Sequence, residues 1–517
     1  MYCICRLFVV PLNLWDFTLT VNLEINPARV TGVRSPMLYG HFIEHFHRQI
    51  YGGLFQPGHP LADEDGFRTD ILEAVRRIRV PVMRWPGGCF VSAYHWKDGV
   101  GKCRRPAFDK AWRVEEPNTF GTDEYIRLCR KLGCEPYICT NAGTGTAEEM
   151  SDWVEYCNLE TEGQWARDRI AGGHVQPYGV RYWSIGNENY GYWEIGAKSA
   201  QEWGLLVREA AKMMKHVDPT VQLSAAALSD PAWNLNLLQH AGPFLDWISI
   251  HEYWDMMPEV QNPATYEQCM AYTDRIDHSV REVRGMLAAL RLEGKIRIAF
   301  DEWNLRSWHH PNVHTITQGI GRDSYLTPRD KNDDNSLYTM ADAVFAACFL
   351  NAMHRHCDVV GMANFAPLVN TRGCIYSWDG GIVLRSTYHV FDLYVNNLGN
   401  TVIDLWNEPG PTMTVPHKSG GERIVECLDL LATRFSDHAG IAIAAVNKDP
   451  DNAHTITVPL DRPAAVTVLT LNGESKDAYN DVGHTGVMVR QHELGVCRER
   501  KEIELPPHSV SVIRIEP

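Results

Sequence analysis

The chain has no C-x-x-C pair, no apolar stretch long enough to cross a bilayer and no low-complexity tract. It also lacks a surplus of positive charge: 49 lysines and arginines face 64 aspartates and glutamates, for a net charge of −15. That balance argues against a broad nucleic-acid or anionic-membrane surface, so neither is expected as a partner. The cysteines number 14 but are scattered; Cys3 with Cys5, and Cys129 with Cys134 and Cys139, lack zinc-site spacing, and no metal is expected. Reduced, structural thiols in a cytoplasmic protein are the expectation. The apolar stretch 7–15 carries Pro11 and Asn13, follows a single arginine and precedes no small-x-small cleavage site, so it reads as neither span nor signal peptide. No G-x-G-x-x-G follows a first strand, which removes the usual argument for a dinucleotide-binding sheet.

What is present is core-forming material. Of 517 residues, 44% are hydrophobic, and the 16 tryptophans and 20 tyrosines supply flat faces that suit sugar rings as well as packing. Short β-rich runs alternate with longer helical ones. Eight such runs fall at 33–42, 80–84, 136–140, 180–185, 221–225, 247–251, 296–300 and 359–365, most of them continuously apolar, as strands buried on both faces must be. Between them, Tyr125, Leu128, Cys129 and Leu132 keep helical spacing behind Thr122 as N-cap and stop at Gly133; Val283, Met286, Leu287 and Leu290 do the same before Gly294. Eight strand–helix repeats predict a (β/α)8 TIM barrel over 33–396. From 397 to 517 the helical period fades into short strands such as His454-Thr-Ile-Thr-Val-Pro-Leu460, separated by turns such as Asn447-Lys-Asp-Pro-Asp-Asn452, which predicts an all-β, jelly-roll-like sandwich. Residues 17–32 read as a strand region pairing with that sandwich, and 1–16 as an extension without an assignable role.

In such a barrel the chemistry belongs at the C-terminal strand ends. Reading only those ends gives a polar ring in which two glutamates stand out: Glu188 in Gly186-Asn-Glu, after the fourth run, and Glu302 in Asp301-Glu-Trp-Asn, after the seventh. Glycoside hydrolysis needs two carboxyl groups flanking the scissile bond, and about 5–5.5 Å between them would mean a retaining double displacement. Either glutamate alone is explained by a solvated ion pair; the two together, at ends that converge over one barrel mouth, are not.

Tyr39-Gly-His-Phe-Ile-Glu-His45, Arg84-Trp-Pro-Gly-Gly-Cys-Phe90, Tyr94-His-Trp-Lys-Asp-Gly99, Trp183-Ser-Ile-Gly-Asn-Glu-Asn189, Ser249-Ile-His251 and Phe300-Asp-Glu-Trp-Asn304 resemble glycoside hydrolase family 51, best known for α-L-arabinofuranosidases. The likeness spans nearly the whole chain. It implies an exo-acting, retaining enzyme with no cofactor, working on arabino-oligosaccharides from arabinan or arabinoxylan, and a homo-oligomer, in this family commonly a hexamer. By motif, it implies Glu188 as acid/base and Glu302 as nucleophile. It also implies Asn187 on the sugar 2-hydroxyl, Glu44 on furanose hydroxyls, Arg84 beside the nucleophile, and His251 and Tyr253 at the sugar site. Cys89 is either a substrate-lining side chain or a small residue after the Gly-Gly turn. Trp254 and Trp303 read as packing, and His309, His310 and His314 as solvated. Two positions depart from the family pattern: Gly373 stands where a substrate-binding glutamine is common, leaving Asn370 or Arg372 to cover that corner, and His47 stands where glycine is usual. Alternatives on the same scaffold are an endo-β-glucanase or galactofuranosidase; from a different class, a carbohydrate-binding protein without catalysis.

Overall fold

The computed structural model describes residues 20–253, 265–305, 333–416 and 421–517; Trp254, His309, His310, His314 and residues 1–16 lie outside these. Eight parallel strands close a barrel: β1 (Gly40–Phe42), β2 (Val82–Trp85), β3 (Glu135–Thr140), β4 (Tyr182–Ile185), β5 (Gln222–Ala227), β6 (Trp247–Tyr253), β7 (Arg297–Asn304) and β8 (Val360–Phe365), each hydrogen-bonded to the next and β8 back to β1. Their residues are buried almost throughout, which is why the sequence shows unbroken apolar runs there instead of alternation.

Two local expectations need correction. The first run, read as a strand over 33–42, splits. Val33 ends a strand of the other sheet, Pro36–Tyr39 makes a 3-10 turn whose N-cap Ser35 hydroxyl accepts from the Met37 N–H at 3.2 Å, and only three residues remain for β1. Pro36 has no N–H to give to a ladder. The strand then runs so close to its neighbours that a Cβ on Gly40 would lie 2.5 Å from the Ala363 carbonyl and from Val82 Cγ1. The helix Thr122–Leu132 is capped by Gly121, not Thr122. A Cβ at 121 would lie within contact-forbidden range of the Gly99 carbonyl, so a side-chain cap has no room; Glu124 accepts from the Gly121 N–H at 2.9 Å instead. Thr122 Oγ1 is spent on the Trp153 indole N–H at 3.0 Å. Gly133, at φ 71°, ends the helix in the left-handed conformation.

The second unit is sheet-rich. Nine strands run in the order Val487–Cys497, Ala464–Gly473, Ser509–Glu516, Ile441–Asn447, Leu428–Arg434, Thr401–Asn407, Thr20–Val33, His454–Val458 and Lys501–Leu505. Val466 and Val468, near one end of that order, share a core with Ile456 and Ile503 at the other, so the sheet curls over its own apolar face. The strand Thr20–Val33 is the hinge of this order, antiparallel to Thr401–Asn407 and parallel to His454–Val458.

The helix Met340–Arg355 joins the two units. It opens with a capping box, the Thr339 N–H bonded to Asp342 Oδ2 at 2.8 Å, and 14 of its 16 residues are buried. Residues of this helix belong to one continuous apolar cluster that runs from Ile71 and Val207 of the barrel to Leu431, Ala444 and Val512 of the sheet. Among the described residues, no helix is long and apolar enough to cross a membrane, and the cysteines are free thiols.

Candidate active site

Strand β7 delivers two consecutive acids into one network, where a regular strand would send them to opposite faces. The pairing register slips between Ala299 and Glu302 against β6, and between Phe300 and Trp303 against β8. This bulge turns both Asp301 and Glu302 inward. Asp301, fully buried, accepts from the Tyr137 hydroxyl at 2.7 Å and the Ser249 hydroxyl at 2.5 Å. Burial opposes its ionisation, but His251, Arg84 and Ser249 outweigh that and hold it below the usual carboxylate range. Glu302, at the mouth, accepts from Arg84 Nη1 and from the Tyr253 hydroxyl, both at 2.7 Å.

Beyond β4 the chain turns sharply. Gly186 sits at φ 69° and Glu188 itself at φ 45°, a conformation that costs a non-glycine residue about 1–3 kcal/mol and is held here by the surrounding bonds. Glu188 Oε2 accepts from the Trp193 indole N–H at 2.8 Å, and Oε1 lies 2.8 Å from His251 Nδ1. The same Nδ1 is 3.6 Å from Glu302 Oε2, and His251 Nε2 is 3.5 Å from Asp301 Oδ1. Burial disfavours the imidazolium, but the charges of Glu302, Asp301 and Glu188 prevail and push its pKa up to about 10. His251 is therefore a cation between the carboxyl groups of Glu188 and Glu302. Glu188, His251 and Glu302 each place one atom within 4.8 Å of the other two, a spacing that would suit a metal ion. In this structure the carboxylate oxygens of that group take hydrogen bonds from Arg84, Tyr253 and Trp193, and one lies against His251.

Arg84 bridges both strand ends: besides Glu302, its Nη2 donates to Asn187 Oδ1 at 2.8 Å, and its Nε stands 3.7 Å from Asp301. Glu44 lies 5% exposed under the Gly-Gly turn, and the turn explains itself there. A Cβ on Gly87 or Gly88 would fall 3.0 or 2.9 Å from the nearest oxygen of the Glu44 carboxyl group. The Phe90 N–H and the Trp112 indole N–H both bond Glu44 Oε1, at 3.1 and 2.9 Å. Burial and the charge of Glu302 nevertheless lift its pKa to about 8. Cys89 is half-buried, with its Sγ within 4.8 Å of carboxylate atoms of Glu188 and Glu194, and burial with those charges drives its thiol pKa well up. All eight side chains expected at the site thus meet at one mouth.

The two departures have physical explanations. Gly373 cannot carry a side chain on this backbone, since a Cβ would lie 2.6 Å from the Val369 nitrogen. Asn370 does not replace it: its amide is spent on the Arg48 carbonyl at 2.7 Å and on Ser377. Arg372 reaches the site, its guanidinium 4.9 Å from the centre of the Tyr253 ring. His47 holds φ 50°, where glycine would carry no strain. Trp303 is fully buried against Phe349, Phe365 and Phe391.

Sequence reading missed Trp112, Tyr190, Trp193, Glu194 and Tyr137. Trp193 and Glu194 follow Glu188 within six positions, and that nearness was the available signal. Trp112, on a hairpin of strands Ala107–Asp109 and Val114–Glu116, gave none.

Comparison with known proteins agrees with this geometry. The α-L-arabinofuranosidase 1 domain matches residues 74–274, and the α-L-arabinofuranosidase C-terminal domain matches residues 301–509. A probable α-L-arabinofuranosidase C of Aspergillus niger is 32% identical, covering 95% of this chain and 97% of its own length. An intracellular exo-α-(1→5)-L-arabinofuranosidase of Halalkalibacterium halodurans is 32% identical over 83% of this chain and 85% of its own. The crystal structure of the Thermotoga maritima α-L-arabinofuranosidase in complex with arabinose is 35% identical, covers 96% of this chain and 100% of that one, and superposes with a TM-score of 0.85. The chain belongs to glycoside hydrolase family 51 and is a glycoside hydrolase of the α-L-arabinofuranosidase kind.

Proposed function

We propose that the enzyme removes terminal L-arabinofuranose from arabino-oligosaccharides, including fragments of arabinan or arabinoxylan, with retention of configuration. The observation that carries this reading is the approach of Glu188 and Glu302 oxygens to within 4.8 Å. That spacing leaves no room for a water molecule between carboxylate and sugar, and matches the short separation of retaining glycosidases. In the first step Glu302 attacks the anomeric carbon while Glu188 gives its proton to the departing oxygen. In the second, Glu188 takes a proton from water, and the water oxygen displaces Glu302 from the sugar.

The surrounding groups have distinct tasks. Arg84 and Tyr253 each take one oxygen of Glu302 and aim the carboxylate. Arg84 also fixes the Asn187 carbonyl oxygen, which leaves the amide nitrogen to meet the sugar 2-hydroxyl. Glu44, with its pKa at about 8, carries a proton at neutral pH and so donates as well as accepts toward furanose hydroxyls. Exo action and a cytoplasmic setting are supported by the relative named as an intracellular exo-enzyme.

The test is azide rescue with an aryl α-L-arabinofuranoside. Glu302→Ala and Glu188→Ala are each expected to lose about 10³-fold or more in kcat. Azide should restore turnover in both, giving the α-azide with Glu188→Ala and the β-azide with Glu302→Ala. The opposite stereochemistry, or a fully active Glu302→Ala enzyme, would reject the assignment.

A further inference from the structure

Glu194 is a buried carboxyl group, 4% exposed, for which the two-step scheme has no use. It lies in the same loop as Glu188, and one carboxylate oxygen of each, together with the Cys89 Sγ, fall within 4.8 Å of one another. The Ser92 hydroxyl donates to Glu194 Oε1, and the Asn187 amide nitrogen points at Oε2 from 3.5 Å. Since Asn187 Oδ1 is already held by Arg84, Glu194 fixes which way round that amide stands. The geometry points to Glu194 as a positioning residue that holds one proton jointly with Glu188.

Like charges at this range, inside a protein, do not ionise together; the first proton leaves easily and the second is retained. Burial and the charge of Glu188 lift the Glu194 pKa to about 8, against the opposing pull of Ser92 and Cys89. Among the described residues, the other titratable groups facing the pair include His251, on Glu188 at 2.8 Å, the Tyr190 hydroxyl at 3.4 Å, Cys89, Glu302 beyond His251, Arg84 through Asn187, and Glu44. Of these, His251 draws the proton off Glu188 and the carboxylates return it. In the first step the shared proton passes to the leaving oxygen as its bond to the anomeric carbon breaks. The pair is then doubly ionised, and the repulsion that raised its proton affinity makes it a stronger base toward water in the second step.

This inference rests on Glu188 being the proton donor, and the experiment separates the two ideas. The pH dependence of kcat/KM is measured for wild type, Glu194→Gln, Ser92→Ala and Glu188→Gln, on methyl α-L-arabinofuranoside and on its 2,4-dinitrophenyl counterpart, whose leaving group departs without a proton. With Glu194→Gln, Glu188 keeps His251 but loses its like-charged neighbour, so the alkaline limb on the methyl glycoside should move acid by about one pH unit. On the dinitrophenyl glycoside the limb should move far less. Ser92→Ala, which deletes a donor to the carboxylate, should move the limb the other way, and decides the matter if the glutamine variant fails to fold. An unmoved limb, or an equal shift on both substrates, overturns the proton-sharing role. A Glu188→Gln enzyme that keeps the wild-type limb on the methyl glycoside overturns instead the assignment on which it rests.

Discussion

Glu44 shows how one residue trades stability for recognition. Its carboxyl group keeps a proton up to about pH 8 in the folded chain, whereas an unfolded glutamate releases it near its ordinary value of 4.5. Between those limits the folded state binds more protons than the unfolded one, so this group's contribution falls as pH rises. Glu44→Gln, which cannot ionise, should therefore melt higher than wild type at pH 8, by about 2 °C or more, with little difference at pH 4.5. The same variant should bind substrate more weakly, read as a higher KM. Glu44, Glu188 and Glu302 were legible in the sequence because strand ends are legible: an apolar run stops and a polar motif begins. Glu194 and Trp193 were not, since nothing in a loop's composition says which of its side chains folds back on the strand end. Tyr137 hid for a different reason. Its ring belongs to the apolar run of β3, and only the closed barrel shows its hydroxyl turned to Asp301.

At the scale of elements, the hairpin Ala107–Asp109 and Val114–Glu116 is held at its base by Glu116. That carboxylate bonds the Tyr51 hydroxyl at 2.5 Å and His45 Nδ1 at 3.1 Å. His45 accepts from the Trp85 indole N–H on its other nitrogen, which leaves Nδ1 as the donor to Glu116. At the tip, Trp112 packs tilted against Phe46, with ring centroids 4.0 Å apart, and gives its N–H to Glu44. Trp112→Phe keeps the ring and deletes the bond; KM should rise about three- to tenfold, with kcat changing less, in steady-state kinetics on an aryl arabinofuranoside. Seven of the eight barrel strands follow from the short β-rich runs, most of them continuously apolar, as burial on both faces requires. The first does not, since Pro36 and the 3-10 turn shorten β1 to three residues that carry no pattern of their own. The cap at Gly121 was invisible for a similar reason: the crowding by Gly99 is a long-range contact.

For the whole molecule, composition marks a change of architecture near residue 397 but says nothing of how firmly the two parts are joined. Helix Met340–Arg355 settles this through Arg355, whose Nη1 is 2.8 Å from Asp429 Oδ1, and through Asn351 on the same carboxylate at 3.0 Å. Apolar residues of both units share one cluster around it. Scanning calorimetry should accordingly show a single cooperative transition, with barrel and sheet melting together; two resolved peaks would contradict a shared core.

That helix also limits what can be built from this protein. A hybrid enzyme that kept the barrel and exchanged everything after it for a foreign module would leave Asn351 and Arg355 without the Asp429 carboxylate they share and the helix against a surface never shaped to receive it. The workable seam for such engineering is therefore not the compositional break but the outer rim of the curled sheet, where the edge strand Val487–Cys497 is exposed from Arg490 to Val496, beyond the part of it that Val487 anchors in the shared interior.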